Sequence, residues 1–446
     1  MFENKKIYIL GMARSGYEVA KMLAKKNNEI LITDLKEQNE SHINELKSLG
    51  VQIVIGNAPM IDNSYDYLVK NPGIKDSHDI VTKAKELNIP VLNEIEVAYR
   101  LIDKDATIVG ITGSNGKTTT TMLTYEILKN AKKKVILAGN MGFPLSPFVD
   151  EIDKDTILLM EISIQQLCNF SEYKTNISVL TNIYEAHLDF VGSKENYINI
   201  KKRIFNHHTS SDYAVLNYDN KDVVDNTNDI MSHKEYFSKN NTAVLCHIEN
   251  GCIYYDNKKL IGLDDIKLKG NHNYENVMAA VMVAKRLNVD DEVICDTLKE
   301  FNGVEHRIEY VTNIGGVEIY NDSKSTNVKA TQIALSTFNK PTILLLGGLD
   351  RKHSFEGLTT YMNNVKLVVS YGETKHRIKE YCDKINKECI VVDDLENAVN
   401  IAFKNALEND VILLSPACAS WDQYSDFEER GRKFKEYVTR RMKWVK

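Results

Sequence analysis

A glycine-rich segment with a lysine and three threonines, T-G-S-N-G-K-T-T, spans residues 112–119. It follows a β-branched run at 107–111 that predicts a strand, and it precedes a helix-like segment. Glycines let backbone N–H groups approach an anion, the helix start adds the positive end of its dipole, Lys117 adds a cation, and Thr118 offers a hydroxyl to Mg²⁺. The segment therefore predicts a phosphate-binding loop for a nucleoside triphosphate. The loop residues are Gly113, Ser114, Asn115, Gly116, Lys117, Thr118 and Thr119.

This loop departs from the usual phosphate-loop pattern at one position. The pattern places a glycine five residues before Gly116, where this chain has Ile111, and glycines stand at 110 and 113 instead. A glycine-rich turn without a ligand is the alternative interpretation. The succession of strand, G-K-T-T and helix favours phosphate binding.

The composition is that of an ordinary globular protein. A chain of 446 residues exceeds one ordinary core, and about 150 residues per domain suggests about three domains. The net charge of −6 gives no overall attraction for nucleic acid. No apolar run reaches the ~18 residues of a membrane span, the N-terminus lacks signal-peptide features, and the seven cysteines show no C-x-x-C spacing. We expect a cytoplasmic monomer without membrane insertion or a nucleic-acid partner.

Strand-like runs alternate with helix-like segments along the chain, which indicates parallel α/β sheets. Near the N-terminus a strand, a helical pattern and a second strand closing on Asp34 form a βαβ unit. The loop between them, G-M-A-R-S-G, is a weak dinucleotide fingerprint because Ala13 replaces the middle glycine. A nucleotide site that includes Asp34 and a structural turn both remain open from these residues alone.

Polar residues follow the predicted strands of the middle region. Glu161 follows the strand 156–160, and His187 lies in E-A-H-L-D after the strand 177–180. Ligands of open α/β sheets bind beyond the carboxyl ends of the strands, so we expect both residues on the same rim as Lys117 if the strands are parallel. Glu161 suits Mg²⁺, with helix capping as its alternative, and His187 has a structural role as its alternative.

Two further positions in this region are ambiguous. Asn140, in G-N-M-G after the strand 135–137, is placed to bind substrate or to form a turn. Lys201 and Lys202, taken alone, indicate an exposed helix face.

The last third of the chain repeats the same arrangement. Its strand ends lead into N-D-S-K-S-T-N, G-G-L-D-R-K and S-P-A-C-A-S, and so bring Lys324, Thr326, Lys352 and Ser420 to one edge. Cations beside hydroxyls suit a carboxylate ligand. Arg307 precedes them, where we expect this region to meet the nucleotide.

Six motifs together resemble those of the ATP-dependent Mur ligases of bacterial peptidoglycan synthesis. They are T-G-S-N-G-K-T-T, N-I-Y-E-A-H-L-D, H-N-Y-E-N, H-R-I-E, N-D-S-K-S-T-N and S-P-A-C-A-S-W-D-Q-Y. The matching features occur in family order from Gly11 to Gly431, and their combination is highly specific. The resemblance implies ATP-driven amide synthesis, in which a carboxylate takes the γ-phosphoryl group and an amine attacks the acyl phosphate. Within the family, it points to UDP-N-acetylmuramoyl-L-alanine as the acid and D-glutamate as the amine.

The resemblance also implies the fold and the domain limits. It predicts an α/β protein of three domains: a Rossmann-like N-terminal domain, a central P-loop ATPase-type α/β domain and a C-terminal Rossmann-like α/β domain. Residues 1–97 would bind the UDP substrate, residues 98–302 would bind ATP, and residues 303–446 would bind the amino acid.

Site residues follow from the same resemblance. Further ATP contacts would be Asn273, Asn276, Arg307 and Asp322. Two Mg²⁺ ions would be held by Thr118, Glu161, His187 and Lys201, with Lys201 carbamylated and therefore anionic rather than an exposed cation. Lys117, His187 and Lys201 would be the catalytic residues. The UDP substrate would contact Ala13, Arg14, Ser15, Asp34, Leu35, Lys36, Gly73, Asn140, Ser163 and His187, and D-glutamate would contact Lys324, Thr326, Lys352, Ser420 and Phe427.

One departure and three alternatives accompany this interpretation. After Glu161 the family commonly reads S-S-F-Q-L, whereas this chain reads S-I-Q-Q-L, which keeps Ser163 but changes the local packing. The alternatives are a related ligase that uses another amino acid or folate, a non-catalytic nucleotide switch, and an NAD-dependent dehydrogenase. The dehydrogenase depends only on the imperfect first loop.

Overall fold

The computed structural model describes residues 2–141, 143–184, 188–268 and 271–442. The chain divides into two compact units, Met1–Phe301 and Asn302–Lys446. The predicted α/β class is confirmed, because both units are built from mainly parallel sheets connected by helices. Among the described residues, no helix has the length and the hydropathy that a membrane span requires.

The first sheet has the strand order β3-β2-β1-β4-β5, and all its pairings are parallel. Its strands are β1 (Lys6–Leu10), β2 (Glu29–Asp34), β3 (Gln52–Ile55), β4 (Tyr67–Lys70) and β5 (Val91–Leu92). Its helices are α1 (Arg14–Ala24), α2 (Glu40–Ser48), α3 (Asp79–Glu86) and α4 (Glu94–Tyr99). The chain leaves β1 toward β2 on one side, and β4 lies on the other. This reversal opens a crevice at the carboxyl ends of β1 and β4, where such sheets bind ligands.

The second sheet has the order β14-β13-β12-β11-β10-β9-β6-β8-β7. Its strands are β6 (Thr107–Thr112), β7 (Val135–Gly139), β8 (Ile157–Glu161), β9 (Ile177–Leu180), β10 (Tyr213–Asn217), β11 (His233–Ser238), β12 (Cys246–Glu249), β13 (Cys252–Tyr255) and β14 (Lys258–Gly262). Its helices are α5 (Lys117–Asn130), α6 (Ile164–Leu167), α7 (Leu188–Val191), α8 (Lys194–Lys202), α9 (Lys221–Asn226), α10 (Asn271–Arg286) and α11 (Asp291–Glu300), with 3₁₀ turns at Ser146–Glu151 and Arg203–Phe205. The pairings among strands β6 to β12 are all parallel, and β13 and β14 add an antiparallel edge. The predicted condition of parallel strands beside Lys117 is therefore met.

Residues 93–106 connect the first sheet to the second, and we call their first part, residues 93–96 at the start of α4, the linker. The Glu94 carboxylate accepts hydrogen bonds from the backbone N–H and the hydroxyl of Ser146, both at 2.6 Å. The Glu96 carboxylate accepts from the backbone N–H groups of 171–173. Both carboxylates are buried. The linker thus binds the first sheet to two loops of the second, and the predicted boundary at 97/98 falls inside α4 and stays a prediction.

The sheet of the second unit has the order β15-β16-β20-β17-β18-β19. Its strands are β15 (Glu309–Ile314), β16 (Val317–Asn321), β17 (Thr342–Gly347), β18 (Val365–Tyr371), β19 (Cys389–Val391) and β20 (Val411–Leu414). Its helices are α12 (Val328–Ser336), α13 (Lys375–Lys384), α14 (Leu395–Asn405) and α15 (Phe427–Met442), with a 3₁₀ turn at Glu356–Tyr361. Every residue of β17 and β20 is buried, which explains their continuous apolar sequences. The antiparallel strand β15 forms one edge.

Candidate active site

The phosphate loop joins β6 to α5, and its glycines meet a steric requirement. Gly113 and Gly116 have φ of +151° and +81°. A Cβ atom at Gly113 would lie 2.0 Å from the Thr181 hydroxyl oxygen, and one at Gly116 would lie 2.1 Å from Oδ1 of Asn276. Neither position accepts a side chain in this arrangement. The chain therefore needs glycine at 113 and 116, while Ile111 is buried in β6.

The loop after β9 holds the phosphate loop in place. The backbone N–H of Ser114 donates to the carbonyl oxygen of Asn182 at 2.9 Å, and the N–H of Asn115 donates to Asn182 Oδ1 at the same distance. The Thr181 hydroxyl donates to the Asn115 carbonyl at 2.6 Å. Neither Thr181 nor Asn182 belongs to the site residues predicted from the sequence. The available signal was their position directly after a predicted strand, on the rim that carries Lys117.

Two lysines converge on the phosphate loop. Lys117 Nζ donates to the carbonyl oxygens of Gly113 and Ser114 at 2.9 and 3.1 Å. Lys201 Nζ donates to the Thr112 hydroxyl oxygen and to the same Gly113 carbonyl, both at 2.9 Å. Lys201 is 1% exposed. Burial, reinforced by the charge of Lys117, lowers the pKa of Lys201 well below its ordinary value.

The exposed interpretation of the lysine pair is thus wrong for one of its members. Lys201 reaches into the site from α8, whereas Lys202 forms an ion pair with Asp229 at 2.8 Å. An uncharged amine beside a phosphate loop is a nucleophile toward electrophiles such as carbon dioxide, and an ammonium ion is not.

Glu161 has an unpartnered carboxylate oxygen at the end of β8. Its Oε1 accepts from the Asn140 amide at 2.7 Å, but Oε2 is buried and has no hydrogen-bond partner among the described residues. A buried polar atom without a partner is costly, and a bound cation removes that cost. Glu161 pairs in register with Ile111 of β6, just before the loop that leads to Thr118. A carboxylate and a threonine hydroxyl are oxygen donors that fit Mg²⁺.

No cluster of three or more histidine, cysteine, aspartate or glutamate side chains that could hold a metal occurs within the described ranges. His187 lies outside these ranges, so its predicted roles in catalysis, metal binding and substrate binding stay predictions. The candidate magnesium residues of the described chain are Thr118, Glu161 and Lys201.

The structure brings Asn273 and Asn276 to the phosphate loop. Asn276 Nδ2 donates to Asn273 Oδ1 at 3.4 Å, and the Thr120 hydroxyl donates to Asn276 Oδ1 at 3.3 Å. Helix α10, which carries both asparagines, is buried on all sides from 277 to 284 and packs against α5. This packing fixes the asparagines beside the loop.

The crevice of the first sheet contains a cavity of about 490 Å³. Among its lining residues are four of the predicted nucleotide contacts, Ala13, Asp34, Leu35 and Lys36. The Asp34 carboxylate accepts from the backbone N–H groups of Met12 and Lys36 at 2.7 and 2.9 Å. Asp34 therefore organises the cavity edge.

The other predicted contacts of this domain lie at the border of the cavity. Asn71 lines it, donates to the Ser15 hydroxyl at 3.3 Å and accepts from the Gly73 N–H at 3.1 Å. Arg14 is the first residue of α1, next to Ala13. The residues predicted to contact the nucleotide in the first domain thus lie around one crevice.

Ser163 is the N-cap of α6. Its backbone N–H donates to Gln166 Oε1 at 2.8 Å, while Gln166 N donates to the Ser163 hydroxyl at 3.4 Å, which completes a capping box. The Asn93 amide of the linker donates to the Gln166 carbonyl at 2.6 Å. The Ile164–Gln165 departure therefore leaves the cap at Ser163 intact.

In the second unit, Asp322 is a buried carboxylate beside Arg307. It accepts from the Ile308 N–H at 3.2 Å and from the Ser415 hydroxyl at 2.7 Å. Burial raises its pKa to about 6, while hydrogen bonds from Ser325 and Ser415 and the charge of Arg307 act in the opposite direction. The charge of Arg307 thus acts on Asp322, and the contact of both residues with ATP stays a prediction.

The predicted D-glutamate residues lie on neighbouring segments of the second unit. Lys324 Nζ is 5.7 Å from the centre of the Phe427 ring, and the Thr326 N–H donates to the Lys324 carbonyl at 2.9 Å. Ser420 is buried, whereas Lys352 is exposed and has a φ of +59°. Lys352 lies on a loop that contacts the Ser420 segment, because the Leu349 N–H donates to the Ala419 carbonyl and Arg351 stacks on Trp421.

Comparisons with known proteins agree with this arrangement. Residues 111–284 match the family model of the Mur ligase middle domain, and residues 306–418 match that of the Mur ligase glutamate ligase domain. The chain is 42% identical over 443 residues to a UDP-N-acetylmuramoylalanine–D-glutamate ligase of Bacillus thuringiensis (strain Al Hakam), with 98% of each chain covered. It is also 42% identical to the enzyme of that name from Geobacillus sp. (strain WCH70), with 96% of each chain covered.

Solved structures with low sequence identity share the fold. The UDP-N-acetylmuramate-alanine ligase of Thermotoga maritima matches with a TM-score of 0.60 at 18% identity, covering 98% of this chain and all of that one. A MurF ligase of the same organism, solved in complex with ADP, matches with a TM-score of 0.59 at 19% identity, covering 94% and 97%. The three-domain α/β organisation is that of these neighbours. With two family models and full-length relatives at this identity, the chain belongs to the Mur ligase family.

Proposed function

We propose that this chain joins D-glutamate to UDP-N-acetylmuramoyl-L-alanine at the expense of ATP, as a step of peptidoglycan precursor synthesis. The observation that carries the proposal is the phosphate loop, around which Lys117 and Lys201 share one carbonyl acceptor. The relatives named above, aligned over nearly the whole chain, specify D-glutamate in their names. The specific activity within the family is inferred from these relatives, because the solved neighbours at 18–19% identity support only the fold.

The chemistry requires activation of a carboxylate. Amide formation from a carboxylate is unfavourable at neutral pH, and transfer of the γ-phosphoryl group creates an acyl phosphate with phosphate as leaving group. The amine then attacks the acyl carbon, forms the C–N bond, expels phosphate and loses a proton. Catalysis consists mainly of alignment and charge neutralisation. The loop N–H groups, the start of α5 and Lys117 supply positive charge for the phosphates.

Thr118, Glu161, His187 and carbamylated Lys201 would hold two Mg²⁺ ions. When bound, these ions supply charge that offsets the repulsion between the substrate carboxylate and the triphosphate. The unpartnered Oε2 of Glu161 supports this assignment within the described chain. Asn140 orients the Glu161 carboxylate through Oε1.

Lys201 is suited to carbamylation. Its Nζ would form a bond to the carbon of carbon dioxide and release one proton, which converts the side chain into an anion. The lowered pKa of Lys201 increases the uncharged amine that this reaction needs. The anion would also attract the Lys117 ammonium, which repels a protonated Lys201.

The substrates divide among the described groups of residues. The uridine nucleotide would occupy the cavity of the first sheet, with Asn140 and Ser163 nearer the reacting carboxylate. ATP would contact the phosphate loop, Asn273 and Asn276, and Arg307 and Asp322 are further proposed contacts. D-Glutamate would bind at Lys324, Thr326, Lys352, Ser420 and Phe427. We also propose the domain limits 1–97, 98–302 and 303–446, a cytoplasmic location and a monomeric state.

One assay tests the proposal. Phosphate release from ATP is measured with UDP-N-acetylmuramoyl-L-alanine and each of D-glutamate, L-glutamate, D-aspartate, L-lysine and glycine. We expect release that depends on D-glutamate and on the sugar nucleotide together. Phosphate release that requires another amino acid would assign the chain to another branch of the family. The same holds for phosphate release that requires a folate in place of the sugar nucleotide.

A further inference from the structure

Arg430, in the first turn of α15, is a fully buried arginine that the proposed reaction does not use. Its Nε donates to the Ser323 hydroxyl oxygen at 3.0 Å and its Nη2 to the Ser323 carbonyl at 2.8 Å. Its Nη1 donates to the Cys418 carbonyl at 3.0 Å. A guanidinium removed from water loses a large hydration energy, so its retention in a core calls for a physical reason.

No carboxylate compensates this charge directly. Within the described part of the second unit Arg430 forms no ion pair, and its hydrogen-bond acceptors are a hydroxyl and two carbonyl oxygens. Arg430 acts electrostatically on the carboxyl of Asp422, which accepts from the Glu373 N–H, and also on Tyr371 and Cys418. The charge of Arg430 thus lies in a medium of low dielectric constant, where its field extends further than in water, and its nearest electrostatic counterpart among the acids is Asp422 rather than a hydrogen-bonded carboxylate.

Arg430 also connects the segments that carry the predicted D-glutamate residues. Ser323 adjoins Lys324, and its hydroxyl donates to the Phe427 carbonyl at 2.8 Å. Cys418 lies two residues before Ser420. A Cβ atom on Gly348, in the loop that leads to Lys352, would lie 3.2 Å from Nη1 of Arg430, which shows how closely that loop approaches.

We infer that Arg430 is the positioning residue of the D-glutamate site, which fixes these four segments and biases them toward a dicarboxylate amino acid. This inference rests on the proposed function. The guanidinium acts through the segments: its three hydrogen bonds set the spacing of Lys324, Ser420 and Phe427, and its charge stabilises an anionic side chain above them. A neutral amino acid of similar size gains nothing from that charge. The sequence analysis missed Arg430, which lies within a charged stretch, E-E-R-G-R-K, that is typical of an exposed helix.

The test compares Arg430→Lys with Arg432→Lys on the same helix, where Arg432 is exposed. Lysine keeps the charge but cannot make the three-way contact. We expect Arg430→Lys to raise the KM for D-glutamate about tenfold or more, while the KM values for ATP and the sugar nucleotide stay within about twofold of the native chain. Arg432→Lys should leave all three unchanged. An unchanged KM for D-glutamate, or equal increases for all three substrates, would overturn the inference.

A second pair of variants separates charge from position and remains informative if Arg430→Lys does not fold. Ser323→Ala keeps Arg430 but removes the hydroxyl link to Phe427, and we expect a smaller increase of the KM for D-glutamate alone. In Arg430→Met, with folding checked by circular dichroism, the preference for D-glutamate over D-glutamine should fall below that of Ser323→Ala, which keeps the guanidinium charge. Equal preferences would reject the role of the charge.

The native chain is measured first, which keeps the two proposals distinguishable. Absence of D-glutamate-dependent turnover by the folded native chain contradicts the proposed function. Native turnover combined with unaltered D-glutamate kinetics in Ser323→Ala and the Arg430 variants contradicts only the inference about Arg430.

Discussion

Lys117 and Lys201 donate to the same carbonyl oxygen of Gly113. Because each distance is 2.9 Å, the two nitrogen atoms lie no more than about 6 Å apart. Two ammonium groups at that separation repel each other, and burial together with the charge of Lys117 lowers the pKa of Lys201. The two lysine side chains therefore suit different roles: Lys117 as a cation for the phosphates and Lys201 as an amine that can be carbamylated.

Replacement of Lys201 tests this division. We expect Lys201→Ala to lower turnover about 100-fold or more, because an anionic metal ligand would be lost, and added bicarbonate should not restore it. The matched control is Lys202→Ala, which removes the neighbouring lysine that pairs with Asp229. Carbon-13 NMR of the native chain in labelled bicarbonate should show a carbamate signal that Lys202→Ala keeps and Lys201→Ala loses. Full activity of Lys201→Ala would show that carbamylation is not needed.

Glu161 provides a second test at this scale. Glu161→Gln keeps the oxygen that accepts from Asn140 but replaces the charged, unpartnered oxygen with an amide. We expect the Mg²⁺ concentration for half-maximal activity to rise about tenfold or more, since even residues that only support a metal ligand contribute at that level. The control Glu151→Gln changes an exposed carboxylate of the same region. Equal magnesium dependence in both variants would exclude Glu161 as a metal ligand.

At the scale of elements, the phosphate loop and α10 constrain each other. Gly116 has a left-handed backbone and no space for a Cβ atom because Asn276 on α10 occupies it. Gly251, in the turn between β12 and β13, has φ of +71° and open space around it. The two glycines therefore share the backbone requirement and differ in the steric one.

Substitution by alanine separates these requirements. We expect Gly251→Ala to lower the free energy of unfolding by about 1 kcal/mol and to leave ATP use unchanged. Gly116→Ala should raise the KM for ATP about tenfold or more, because Asn276 must move away from the loop. Urea unfolding and ATP titration kinetics measure the two effects. Similar ATP kinetics in both variants would show that the loop tolerates the displacement.

Much of this architecture could be predicted from local sequence. The runs 107–111 and 156–160 are apolar and rich in β-formers because both faces of strands β6 and β8 are buried, so Lys117 and Glu161, which follow these runs, could be placed on one rim of the sheet. Contacts between distant segments could not. Asn182 meets Asn115 across 67 positions, and Arg430 meets Ser323 across 107. No spacing rule covers such pairs, since they depend on the register of whole strands and helices.

At the scale of the whole molecule, the linker that connects the first two sheets contains a buried titratable group, the carboxyl of Glu94. Glu94 is the first residue of α4 and is buried against the 3₁₀ turn at Ser146, and burial raises its pKa to about 7 despite the hydrogen bonds from Ser146. A carboxyl whose pKa is higher in the folded chain stabilises that state fully below its ordinary value of 4.5. The contribution is lost as the pH rises through about 7.

Glu94→Gln tests this pH dependence. Between pH 5 and pH 8 we expect the native chain to lose stability that the variant, which cannot ionise, retains. The difference should approach about 3 kcal/mol in favour of the variant at pH 8, because one pKa unit corresponds to about 1.4 kcal/mol. Urea unfolding at several pH values measures it, with Glu86→Gln on exposed α3 as the control. Parallel curves for all three proteins would contradict a raised pKa at Glu94.

The boundary between the two units, between Phe301 and Asn302, separates most of the proposed nucleotide sites from the proposed amino-acid site. The uridine crevice, the phosphate loop and Lys201 precede it, while the five amino-acid candidates and Arg430 follow it. Changes in the last third of the gene can therefore alter which amino acid is added while the phosphate loop and Lys201 stay as they are, provided that the proposed ATP contacts Arg307 and Asp322 are kept. Chimeras joined at this boundary from enzymes that add different amino acids should show the amino-acid specificity of the enzyme that supplies the C-terminal unit.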